Sequence, residues 1–115
     1  MLINKETGHV IAKSVFVADR FWTKLAGLQF RKNIPDDFAF VILNCSSIHT
    51  CFMRFGLDAV FVDRSWRVIK VYRGLKPFRV TPAVKGAYAV VELNHRERDI
   101  EPGHALELVS DDALA

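Results

Sequence analysis

The chain has 115 residues, of which 50% are hydrophobic and 25% charged, and its formal net charge is +3. That is the balance of a globular domain with a core of its own, so a disordered or low-complexity chain is excluded, and two cysteines exclude a disulfide-dense scaffold. The longest apolar run, Phe38 to Leu43, is far short of the roughly 20 residues a membrane helix needs, and Met1 to Glu6 carries no apolar stretch of signal-peptide length. The expectation is a single domain over 1–115, cytoplasmic, with reduced thiols and no membrane span.

Most of the chain reads as strands. His9 to Val17 mixes small polar residues with β-branched Val10, Ile11, Val15 and Val17, which suits a half-buried pleated surface. One helix is predicted over 19–27, with Asp19 as N-cap, Phe21, Trp22 and Leu25 at helical spacing, and Gly27 to end it. Two to three turns do not stand alone in water, so this helix must pack on a sheet. Phe38 to Leu43 is apolar on both faces and reads as a central strand. A strand is also expected over Ile48 to Arg54. Ala59 to Val62 and Trp66 to Arg73 flank the polar Asp63-Arg64-Ser65 and form the best hairpin in the chain. Ala87 to Leu93 follows Gly86 as another apolar run, and Ala105 to Val109 alternates like an edge strand. Strands joined by short turns, with one helix, predict a mainly β (α+β) fold. Its sheet is expected to be antiparallel, a small barrel or sandwich with the helix packed on it.

Charge is uneven along the chain. From Arg64 to Lys85 the charged residues are all basic, whereas Glu92 to Asp112 is mostly acidic. Solvated faces are the common origin of such runs. A basic face for nucleic acid or another anion over 64–85 is the sharper alternative. Strand period argues against a continuous stripe: it sends Arg67, Ile69, Val71 and Arg73 to one face and Trp66, Val68, Lys70 and Tyr72 to the other. Nucleic acid is therefore the less favoured partner.

The segment richest in chemistry is Cys45 to Arg54, followed by Gly56-Leu57-Asp58. Cys45, His49 and Cys51 are three ligands where zinc wants four, and although His9, His95 or His104 is available as a fourth, the spacing is not that of a zinc finger. No metal and no cofactor is expected. Cys51 has no cysteine-hydrolase signature around it and reads first as a small buried thiol. Arg54 and Asp58 lie either side of Gly56, which permits a turn between them. They read as an ion pair that fixes the corner, or as a clamp for a small polar ligand. The chain has no glycine-rich phosphate loop, no Gly-x-Ser-x-Gly and no His-Glu-x-x-His.

Gly27-Leu28 with Arg31, then Cys51-Phe52-Met53-Arg54, Leu57-Asp58, Phe61-Val62-Asp63, Val68 and Glu92-Leu93 form a pattern that resembles the domain of unknown function 192 family. The resemblance runs from about Ala12 to Leu108. It departs at Gln29, where the family has Met, at Gly56, where Pro is common, and at Asn94-His95 and Gly103-His104. The resemblance implies a compact, mainly β prokaryotic domain with one short helix and no established activity. Relatives often carry an export signal.

The leading expectation is a non-enzymatic module that binds a small polar or anionic ligand near His49, Thr50, Arg54 and Asp58, with Glu92 at the rim. The alternative is a hydrolase with His49 as base, supported by Asp58 or Cys51.

Overall fold

The computed structural model describes residues 1–18, 34–48, 56–77 and 79–109. Eight strands follow in chain order: β1 (Leu2–Asn4), β2 (Val10–Ala12), β3 (Ser14–Ala18), β4 (Phe38–Leu43), β5 (Leu57–Val62), β6 (Val68–Leu75), β7 (Ala89–Asn94) and β8 (Leu106–Leu108). There is no helix among the described residues. The helix expected over 19–27 lies outside them, as does the strand expected over 48–54 beyond Ile48.

The strands form two sheets, one of three strands in the order β2-β1-β8 and one of five in the order β3-β4-β7-β5-β6. Neither is closed, so of the barrel or sandwich expected from the sequence the barrel is not formed; two open sheets share a core. Leu2, Ile11, Ala12 and Leu106 of the small sheet pack on Ala39, Val41, Val60, Val62, Val91 and Leu93 of the large one. The large sheet carries a second cluster on its other face, built on Phe40, Ile42, Leu57, Ala59, Phe61 and Val90 and covered by Ile34 and Ile48. Cover on both faces explains why β4, β5 and β7 are nearly continuous apolar runs rather than alternating ones.

The sheet is also not wholly antiparallel. β3 runs parallel to β4, Ser14 opposite Phe38 through Ala18 opposite Ile42. A parallel pair needs a long crossover, and the chain between Ala18 and Phe38 supplies one. The predicted hairpin is present as β5 and β6. Its turn is held by the Asp63 carboxylate, which accepts from the backbone N–H of Ser65 (2.8 Å) and Arg67 (3.0 Å). Trp66 takes a left-handed φ of 62° to complete it.

Two bulges break the expected alternation in β6. At its start, Val62 pairs with Val68 and Phe61 with Lys70, so Ile69 is the extra residue and Val68 ends on the same face as Val71. At its end, Leu57 pairs with Leu75 and Ala59 with Tyr72, leaving Asp58 alone opposite Arg73 and Gly74. The face assignment read from simple alternation is thereby corrected for Val68. The second bulge prepares the site.

Candidate functional site

Asp58 sits in the middle of an otherwise apolar strand and is 2% exposed. A buried carboxylate is costly unless paired and hydrogen-bonded, and three groups answer it. The bulge takes Gly74 out of the regular ladder, and its N–H donates to Asp58 Oδ1 at 2.7 Å. His95, just after β7, donates from Nδ1 to the same oxygen at 2.9 Å. Arg98 brings a guanidinium nitrogen to 3.5 Å from Oδ2.

The segment after β7 is organised around these contacts. Arg98 is itself buried, its side chain 6% exposed. It donates to the Asn94 carbonyl at 2.7 Å and to the Asn94 side-chain oxygen, while Asn94 Nδ2 donates to Asp36. Its Nε is buried without a hydrogen-bond partner among the described residues. Burial lowers the Arg98 guanidinium from its ordinary range and Arg96 adds to that, while Asp58 and Asp36 act in the opposite sense. Arg73, the other bulge residue, donates to the carbonyls of Ile100 (2.5 Å) and Arg98 (3.3 Å) and pairs with Glu101 at 3.4 Å. A cleft of about 440 Å³ opens here, lined by Arg73, His95, Arg96, Glu97, Arg98 and Glu101.

Of the residues singled out from the sequence, His49, Thr50, Cys51 and Arg54 lie outside the described residues. Asp58 and Glu92 are described, and they are not brought together. Ala59 pairs with Glu92 and Asp58 with Leu93, so the pleat sends the two carboxyl groups to opposite faces of the large sheet. Glu92 is 3% exposed and stands between Phe40 and Ala59, in the apolar second cluster, not at a rim. Its Oε2 has no hydrogen-bond partner among the described residues, and burial pushes the carboxyl up to about 8. The guanidinium beside Asp58 among the described residues is Arg98, and the imidazole is His95.

From the sequence alone His95 reads as a spare zinc ligand, and Gly74 and Arg98 carry no role. The signal was present as Asn94-His95-Arg96-Glu97-Arg98, a dense polar run directly after a buried strand. Four of the basic residues in 64–85 are engaged with the chain itself. Arg64 lies over the Tyr88 ring, Lys70 over Tyr72, Arg67 on the Gly103 carbonyl and Arg73 on Ile100. No helix among the described residues is long and apolar enough to cross a membrane.

Comparison with known proteins gives concordant results. The sequence profile of the DUF192 family, described as "Uncharacterized ACR", matches residues 2–108. A UPF0127 protein of Thermococcus sibiricus is 34% identical over 97 residues, covering 80% of this chain and 62% of the relative. The chain thus spans less than two thirds of that relative's length. A UPF0127 protein of Pyrococcus horikoshii is 30% identical over 108 residues, covering 89% of this chain and 91% of the relative. The crystal structure of a protein of unknown function from Novosphingobium aromaticivorans superposes with a TM-score of 0.79 at 22% identity, over 93% of this chain and 82% of that one. That likeness shows the fold alone. With nearly its whole length matched by the profile, the chain belongs to the DUF192 family, a family of unknown function.

Proposed function

We propose that the domain is a binding module for a small ligand carrying an anionic group, taken up in the cleft beside Asp58. The supporting observation is the set of cationic heads on that cleft: Arg73, Arg96 and Arg98, with His95 between them. Arg98 is neutralised from behind by buried Asp58, and Arg73 is shared with Glu101. Arg96 is different. Its guanidinium is about half exposed, and the ion pair it makes is a long one, 3.9 Å to Asp36. A planar guanidinium held this loosely is suited to a bidentate grip on a carboxylate or phosphate. Glu97 and Glu101 share the rim, which favours a ligand with a donor group as well as a charge.

The reading keeps the sequence-based expectation of a small polar or anionic ligand and its anchor at Asp58. It moves the partners of Asp58 from the 49–54 segment to the segment after β7. Titration with succinate and with inorganic phosphate, followed by NMR of the Arg and His side chains, tests it. Shifts at His95, Arg96 and Arg73 are expected, weakening with added salt. Arg96→Ala should reduce affinity by roughly tenfold, as for loss of a charge-assisted pair. Absence of any perturbation at these side chains with millimolar anion would refute the reading.

A further inference from the structure

Resting on that reading, we infer that His95 is a catalytic general base, held in place by Asp58 as a positioning residue, for hydrolysis of a carboxylic ester that carries a second, anionic group. Three observations converge on it. The first is the tautomer. A carboxylate only accepts, and Asp58 Oδ1 lies 2.9 Å from His95 Nδ1, so the proton of the neutral ring is on Nδ1. The lone pair is then on Nε2, on the far side of the ring from Asp58. The His95 side chain is 59% exposed and lines the cleft, so that lone pair is accessible to solvent and ligand.

The second observation is rigidity. Asp58 is buried and is fixed by the Gly74 N–H and by Arg98, so the imidazole hangs from an acceptor that cannot swing. The third is the seat of the ring. A Cβ added at Gly74 would stand 3.1 to 3.4 Å from three atoms of the His95 ring, and Gly74 has a φ of +64°. The ring therefore packs flat against bare backbone, in a space that exists because residue 74 has no side chain. An incidental surface ion pair needs neither a buried acceptor nor a seat.

The chemistry follows from what lines the cleft. None of the described residues that line it is Ser, Thr, Cys or Lys, so none of them offers the base a side-chain nucleophile. It acts on water. His95 Nε2 takes a proton from water as the water oxygen bonds to the carbonyl carbon. The acyl C–O bond then breaks, and Nε2–H returns the proton to the departing alkoxide oxygen. The products are a carboxylic acid and an alcohol, with no oxidant or metal required. Arg96 and Arg73 hold the anionic group, and their positive charge stabilises the oxyanion that develops beside it.

The test compares hydrolysis of p-nitrophenyl hemisuccinate, which is anionic, with p-nitrophenyl acetate, which is neutral, by the full chain. The wild type should cleave the anionic ester about tenfold faster than the neutral one. His95→Gln, at an exposed position, should fold normally by circular dichroism and lose roughly 100-fold or more, the usual contribution of a general base. Asp58→Asn should lower kcat with KM unchanged, the split that marks a positioning role rather than a binding one. Equal rates for wild type and His95→Gln would overturn the inference. If succinate still perturbs Arg96 in that case, the catalytic role alone falls and the binding reading stands; if succinate binds nowhere, both fall. A His95-dependent rate without preference for the anionic ester would overturn the substrate class.

Discussion

Replacing Glu92 with Gln isolates an ionisation that the fold suppresses. Glu92 is buried between Phe40 and Ala59 on the apolar face of the large sheet, and its carboxyl is raised from 4.5 to about 8. The cause is loss of hydration on burial. The folded protein therefore keeps a proton that the unfolded chain releases above the ordinary carboxylate range. Stability from this group is full in acid and is lost as pH rises from about 4.5 through 8. The slope is about 1.4 kcal/mol per pH unit. Between pH 5 and pH 8 the loss is roughly 3 kcal/mol, a large part of the ~5–15 kcal/mol that stabilises an ordinary domain. Gln is close in shape and does not titrate. It brings an N–H₂ that also needs a partner, but that offset is the same at every pH. Urea unfolding of both proteins at pH 5, 6, 7 and 8 separates the two effects. The difference in unfolding free energy should swing toward Glu92→Gln by roughly 3 kcal/mol across the range. Parallel pH profiles would show that Glu92 ionises normally in the folded state and that the burial argument is wrong.

Two further expectations concern the frame of the site. Asp58→Ala removes the counter-charge of a guanidinium that is 6% exposed, so it should cost about 3–5 kcal/mol, and the double variant with Arg98→Met should recover much of that loss in the same urea assay. Asn4 is 1% exposed, donates to the Asp99 carbonyl at 2.9 Å and bonds His104 Nδ1 at 3.1 Å, while its own oxygen accepts from the Glu6 N–H. Asn4→Ala should destabilise the protein by roughly 2–3 kcal/mol and, in hydrogen exchange, expose the 99–104 segment ahead of β4 and β7.

How far the sequence could be read varies with the kind of information each element needs. β4, β7 and the β5–β6 hairpin were legible because their signals are local: an unbroken apolar run, or two runs flanking Asp-Arg-Ser. β1 is only three residues long and has no period to detect. The parallel pairing of β3 with β4 is a tertiary choice that neither strand encodes. The bulges at Ile69 and Gly74 depend on what the neighbouring strand offers, so alternation misassigned Val68. The site shows the same division. Asp58 is read from the sequence as a corner residue facing Arg54 across Gly56, before a strand expected from Ala59, whereas β5 begins at Leu57 and takes it in. The partners the fold supplies, His95 and Arg98, come from the far end of β7, which lies beside β5 only in three dimensions. Glu92 is expected at the rim of the site, whereas its apolar flanks, Val90-Val91 and Leu93, belong to a strand that buries it.

The shortest tether of Asp58 comes from the main chain, since the group that reaches it at 2.7 Å is the amide of Gly74. Every amino acid except proline offers that hydrogen, so the tether is insulated from side-chain drift along β6. What cannot vary freely is the backbone's left-handed twist at this point, which favours glycine, and the His95 ring leaves little room there for a Cβ. The shortest of the acid's three holds is thus inherited through chain geometry, while the other two, from His95 and Arg98, depend on the side chains kept at the cleft.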